Sequence, residues 1–178
     1  MIRNKMSINK KVTLLNEDKV RYGAGKCPLV QVLFRKTQKV KGMPSYFLYK
    51  FLYILIKKKY MVELAEETDI GGGLYLGHPF CITINPSVKI GRNVNIHKGV
   101  TIGQENRGKR KGYPVIGDSV WIGVNAVIVG KIVIGDDVLI APNTFVNCDV
   151  PSHSVVFGNP CIIKRKEDAT EGYIENKV

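Results

Sequence analysis

Ile116-Gly-Asp-Ser-Val-Trp-Ile122-Gly-Val-Asn-Ala-Val-Ile128-Val-Gly-Lys-Ile-Val-Ile134-Gly-Asp-Asp-Val-Leu-Ile140 reads in sixes, and Val146 adds one more step. Upstream, Ile90, Ile96 and Ile102 keep the same spacing, as do Ile70, Leu76 and Ile82. Glycine follows at Gly71, Gly77, Gly91, Gly103, Gly117, Gly123 and Gly135. A helix repeats every ~3.6 residues and a strand alternates with period ~2, so neither explains this lattice as one continuous element. A β-solenoid does: each short segment forms one flat side of a coil, with its apolar residue turned inward.

With three segments per coil, the lattice predicts a triangular prism and its register. Ile70, Ile90, Ile116 and Ile134 stack on a first side. Leu76, Ile96, Ile122 and Ile140 stack on a second, and Ile82, Ile102, Ile128 and Val146 on a third. The two longer steps, 82 to 90 and 102 to 116, then leave the coil at one shared corner. Insertions on one face of a repeat protein often form its binding face.

The chain has 178 residues and a net charge of +12. Residues 1–60 carry 15 Lys/Arg and 2 Asp/Glu, a net of +13, and residues 61–178 carry 12 and 13, a net of −1. The solenoid itself is therefore not expected to bind nucleic acid. Cys27, Cys81, Cys148 and Cys161 show neither close pairing nor metal-ligand spacing, so reduced thiols and no metal site are expected. Met1–Lys11 is charged and lacks the apolar core of a leader. The apolar run Phe47–Ile56 is too short to span a bilayer and contains Lys50.

The boundaries read as a basic, mostly helical segment at 1–60, a solenoid at 61–166 and a polar, peripheral tail at 167–178. Residues 1–21 read as a loose or partly ordered arm. Tyr22-Gly-Ala-Gly-Lys26 is a turn whose spacing is wrong for a phosphate loop. Pro28 opens one helix, ending near Lys41–Gly42, and Pro44 begins another. In the second helix Phe47, Leu48, Phe51, Leu52, Leu55 and Ile56 form a broad apolar stripe, and Lys57, Lys58 and Lys59 favour its C-terminal dipole. The stripe packs on the solenoid or another subunit, or rests on anionic lipid through residues 44–60. The interruption Gln104–Tyr113 holds four cations and two glycines, and reads as a flexible loop able to cover an anionic ligand.

Of three histidines, His153 reads as structural or solvated. His97 follows inward Ile96 and is expected to face solvent or a neighbouring subunit. His78 precedes Pro79 beside the first long step, which makes it the candidate base.

Gly73-Leu-Tyr-Leu-Gly-His78, Ile82-Thr-Ile-Asn-Pro-Ser-Val-Lys-Ile-Gly91, Gly99-Val-Thr-Ile-Gly103, Pro114-Val-Ile-Gly117 and Gly158-Asn-Pro160 occur in this order. Together they resemble the hexapeptide-repeat acyltransferases, in the serine acetyltransferase-like branch, over residues 61–166. The resemblance implies a mainly β chain, with a left-handed parallel β-helix and a short helical N-terminal segment. It implies a homotrimer, acetyl-CoA as donor, no metal, and an active site in a groove between subunits. Its catalytic pair falls on His78 and Glu63. A neutral imidazole there takes the acceptor hydroxyl's proton, which typically contributes about 10²–10⁴-fold. Glu63 fixes the ring's tautomer. The donor is expected against Gly123, Val124, Ala141 and Pro142, with Lys164 and Arg165 near its phosphates. Tyr113, Asn85 and Arg107 are the expected acceptor-side residues.

True serine acetyltransferases carry Asp where Gly77 stands and Arg-His where Gly112-Tyr113 stand, and those residues grip the amine and carboxylate of serine. A sugar hydroxyl of a surface polysaccharide or its precursor is therefore at least as good an acceptor as L-serine. The expected location is cytoplasmic, extending to the inner face of the membrane. The rival readings are a non-catalytic scaffold, which predicts no CoA binding, and a lipid- or nucleic-acid-binding module driven by the N-terminal charge.

Overall fold

The computed structural model describes residues 13–178. Among these residues, three helices, α1 (Leu14–Val20), α2 (Leu29–Lys39) and α3 (Tyr46–Tyr60), precede a left-handed parallel β-helix with three sides. The first two sides have the expected register: Ile70, Ile90, Ile116 and Ile134 pair in order, as do Leu76, Ile96, Ile122 and Ile140. Val150 bridges to Ile134 and Val156 pairs with Ile140, which extends both rows. These side chains are buried and form one continuous core. Burying each is worth roughly 1.5–3 kcal/mol.

The third side differs at its start. Ile84, not Ile82, pairs with Ile102, and Leu64 pairs with Ile84. Ile82 and Ile84 are two apart in an extended segment, so both point inward and both are buried. Ile82 takes the minor inward row shared with Val100, Ala126 and Thr144, whose carbonyls accept from N–H groups of the preceding coil. Hydrophobicity cannot tell these two rows apart; the hydrogen-bond ladder does. The eight-residue step therefore follows Leu76, and 84 to 90 is an ordinary six. The two excursions leave from different corners, one on each edge of the third side.

Two of the three corners need left-handed backbone. Asn93, Ser119, Asp137 and His153 have φ between 51° and 56° at one corner, and Asn125 and Asn143 have 58° and 59° at the other. Each lies three residues after an inward residue, and most are types that tolerate this region.

Residues 1–12 of the arm lie outside the described residues; its remainder forms α1, in keeping with a partly ordered arm, and caps the open edge of the first coil. Arg35 donates to Ile70 and Gly71 carbonyls, Arg21 to Gly73, and Gln31 to Leu74. Asp18 accepts from the Leu74 N–H and pairs with Arg35 at 2.8 Å, both side chains being almost wholly buried. A solenoid end presents a row of unpaired backbone groups, and these side chains satisfy it.

The tail is not peripheral. Ala169, Thr170 and Ile174 are buried, Asp137 accepts hydrogen bonds from the Ala169 and Thr170 N–H groups, and Val178 exchanges two hydrogen bonds with Asn93. His153 meets Asp137 at 3.0 Å, the structural role expected of it. The strand Ile162–Arg165 turns back antiparallel on Ser154–Phe157. Cys161 thereby comes 3.7 Å from Cys148, a pairing that the linear spacing hid.

In α3, Tyr53 is fully buried and its hydroxyl donates to the Leu64 carbonyl. Tyr49, Ile56 and Tyr60 pack beside it. Most of the expected apolar stripe faces the other way, into solvent: Phe47, Leu48, Phe51, Leu52 and Leu55 are exposed. The inward seam follows the tyrosines, which reach polar partners while burying their rings.

Candidate active site

His78 sits in the eight-residue step between the second and third sides. Its φ is +52°, its side chain is exposed, and it faces away from the prism interior. The bulge around it is held at several points. The Lys98 N–H donates to the Gly77 carbonyl, and the Phe80 N–H donates back to the His78 carbonyl at 2.7 Å. The Gly99 N–H donates to Phe80, and the Cys81 N–H to Tyr60. Next to the last of these, the Glu63 N–H donates to the Ile82 carbonyl. Glu63 therefore lies beside the C-terminal end of the bulge, with an exposed side chain. No hydrogen bond joins Glu63 to His78 in the single chain.

The corner that carries His78 continues through the later coils. Gly77 carbonyl to Lys98 N–H, Lys98 carbonyl to Asn125 N–H, and Val124 carbonyl to Asn143 N–H run along it. The structure thus brings His78, Gly123, Val124, Ala141 and Pro142 to one edge. Three coil steps of about 4.8 Å separate its ends, or roughly 14 Å. Gly123 is close-packed: a Cβ there would lie 2.6 Å from the Pro142 nitrogen. Gly123 and Ala141 keep the backbone close to the surface on this edge, and Val124 and Pro142 stand beside them. That shape suits a narrow, extended acyl carrier lying along the coils.

The other expected residues are more dispersed. Lys164 lies on the returning strand with its ammonium 5.6 Å from the Phe157 ring centroid, and the Arg165 guanidinium is engaged by the Ser152 carbonyl. Asn85 and Glu63 line a groove of about 810 Å³ between α3 and the third side, with Ile54, Lys58, Met61 and Thr83. Tyr113 and Arg107 belong to the 104–113 excursion, at the opposite edge of the third side. That excursion is a pinned hairpin rather than a flexible loop. Glu105 and Gly112 exchange backbone hydrogen bonds of 2.8 and 2.9 Å, and the Lys131 N–H donates to the Arg110 carbonyl. Arg107 is exposed.

His97, one coil step from the His78 bulge, was expected to face solvent or a neighbouring subunit. His97 does not point to open solvent. Its ring is half-buried, 4.8 Å from that of Trp121, which in turn meets Tyr173 of the tail at 5.1 Å. Its Nε2 is buried and has no hydrogen-bond partner among the described residues. Burial, and then the nearby His78, lower its pKa, so the ring is held neutral. The signal available in sequence was Gly77, which faces His97 across one coil step.

A left-handed prism of six-residue turns with a histidine bulge on one edge is the architecture of a hexapeptide-repeat transferase. Residues 113–148 match the bacterial transferase hexapeptide (six repeats) family. The serine acetyltransferase of Helicobacter pylori is 34% identical over 114 residues, covering 64% of this chain and 67% of that protein. The Neisseria gonorrhoeae serine acetyltransferase solved in complex with serine superimposes with a TM-score of 0.69 at 27% identity, over 85% of this chain and 67% of that one. A serine acetyltransferase solved in complex with CoA gives 0.64 at 26%, over 76% and 55%. The chain thus spans about two thirds of the Helicobacter protein and little more than half of the CoA-bound one. It belongs to the hexapeptide-repeat acyltransferases, in the serine acetyltransferase branch, a family of acetyl-CoA-dependent O-acyltransferases.

Proposed function

We propose that this chain transfers acetyl from acetyl-CoA to a hydroxyl of a sugar in a surface polysaccharide or its precursor, with His78 as general base. The observation that carries the reading is the shared edge: the exposed imidazole and the turns at Gly123, Val124, Ala141 and Pro142 follow one another along one corner. His78 accepts the proton of the acceptor hydroxyl as that oxygen bonds the acetyl carbon. The C–S bond breaks, and the imidazolium gives the proton to the departing thiolate, which leaves as the free thiol. Glu63, on the preceding coil beside the C-terminal end of the bulge, orients the ring once a neighbouring subunit closes the groove. Lys164, and Arg165 beside it, supply positive charge toward the phosphates of the donor. Asn85 flanks the acceptor from the groove beside Glu63, and Tyr113 and Arg107, at the opposite edge of the third side, reach it from a neighbouring subunit.

The sugar reading rests on positions 77 and 112. Both are glycine, so neither offers a charge to an amino acid's amine or carboxylate. L-Serine is the second reading, favoured by the serine acetyltransferases to which the chain is similar. The reading includes a homotrimer, which would cover the exposed Val115 and Val133 on the first side. It also includes a cytoplasmic location, where the donor is available.

The test is thiol release from acetyl-CoA by the full chain with L-serine, hexoses and amino sugars. Turnover with a sugar, cut by about 10²–10⁴-fold in His78→Ala without loss of melting temperature, is the expected result. Turnover with serine alone overturns the acceptor. Silence with every acceptor, together with no CoA binding by calorimetry, overturns the enzyme in favour of a scaffold.

A further inference from the structure

The outward face of α3 is the largest feature that the acetyl-transfer reading does not use. Phe47, Leu48, Phe51, Leu52 and Leu55 fall at i, i+1, i+4, i+5 and i+8, one continuous stripe. They are 77%, 60%, 60%, 37% and 48% exposed. None of them packs into the core formed by the described residues. The opposite face is fixed to the solenoid by Tyr53, by the Lys50–Glu66 pair at 2.8 Å and by Lys57, which donates to the Leu64 carbonyl. Two lysines are thereby used inward. Lys58 and Lys59 remain exposed in the last turn, at the end of the apolar stripe.

We infer that α3 docks flat on an anionic lipid bilayer, its apolar stripe entering the acyl boundary and Lys58 and Lys59 meeting the headgroups. Charge decides the occupant. Residues 46–60 contain no acidic side chain, and residues 1–60 carry a net +13. A second copy laid against this face would bring the same cations and no carboxylate from its own α3. An anionic surface satisfies the stripe and the lysines together. Fifteen residues make a helix of about 22 Å, suited to lying in the interface. None of the described helices is long and apolar enough to cross a membrane. Docking also sets the groove beside Glu63 near the headgroups, because Ile54, Lys58 and Met61 form its α3 wall.

The experiment is co-sedimentation of the full chain with vesicles of phosphatidylglycerol and phosphatidylcholine, or of phosphatidylcholine alone, with the sedimentation coefficient of the free protein measured alongside. It requires no enzymatic activity, so its failure is separate from failure of the acetyl-transfer reading. Binding to the anionic vesicles should be stronger by roughly tenfold or more and weaken with salt. Phe51→Ser with Leu55→Ser, both at exposed positions, should abolish binding while leaving circular dichroism unchanged. Lys58→Glu with Lys59→Glu should remove the preference for anionic lipid. Undiminished binding by the serine pair overturns the proposal, since charge alone would then suffice. No vesicle binding by the wild type also overturns it, and a smaller assembly for the serine pair would then assign the face to a second copy.

Discussion

The imidazole of His97 occupies the space that a side chain at Gly77 would need. A Cβ built on Gly77 would lie 2.5 Å from His97 Nδ1 and 2.6 Å from Cε1. The residue before His78 and the ring one coil away therefore form a single packing unit.

Gly77→Ala should displace that ring and cost about 1–3 kcal/mol, the usual range for overpacking. Gly77→Asp should do the same while adding a charge. Adding His97→Ala to Gly77→Ala should recover most of the loss, because the clash has one partner. A double-mutant cycle in urea checks this coupling.

The same ring gives a pH dependence. Burial first, and the neighbouring His78 second, lower the His97 pKa in the folded state. The unfolded chain then binds the extra proton near the ordinary histidine value of about 6.5, and the folded chain does not. This contribution is full above that value and is lost as pH falls toward the lower folded pKa. Melting temperature should therefore drop on mild acidification, and drop less in His97→Gln.

Acid should also release the tail. Burial opposes ionisation of Asp137, but hydrogen bonds from the Thr170 hydroxyl, the Thr170 and Ala169 N–H groups and His153 outweigh it, and its pKa falls to about 2. The unfolded carboxyl titrates near 3.9. Its stabilisation is present above that value and disappears as pH falls toward about 2. Trp121 is the only tryptophan and touches Tyr173, so its fluorescence reports the tail. Asp137→Asn should give the acid-released emission at neutral pH.

Asp18→Ala should be severely destabilising. It strands the buried Arg35 guanidinium and removes the acceptor for Leu74 N–H and Gln31. Breaking a buried pair from one side costs about 3–5 kcal/mol. Chemical denaturation of the full chain measures it. Replacing exposed Glu67 in the same way should change little.

The prism and two of its three rows were legible because one apolar residue every six positions leaves few alternatives. The third row slipped at Ile82 because an extended segment turns residues two apart to the same side. That slip moved the first excursion to the wrong corner and hid the edge that joins His78 to Gly123 and Ala141. The tail read as peripheral and the first helix as part of a loose or partly ordered arm because their anchors, Asp137 with Thr170 and Asp18 with Arg35, are polar pairs distant in sequence. No local pattern announces such a pair.

By itself the sequence determined the solenoid, its three-sided period and the histidine standing beside its first long step, since these depend on local alternation and residue type. Tertiary structure decided the register of the third side, the outward turn of α3, the pinning of the 104–113 hairpin and the lodging of His97 against Trp121. Each depends on which backbone groups find partners across the coils, and hydrogen bonding between distant segments leaves no periodic trace in a linear chain.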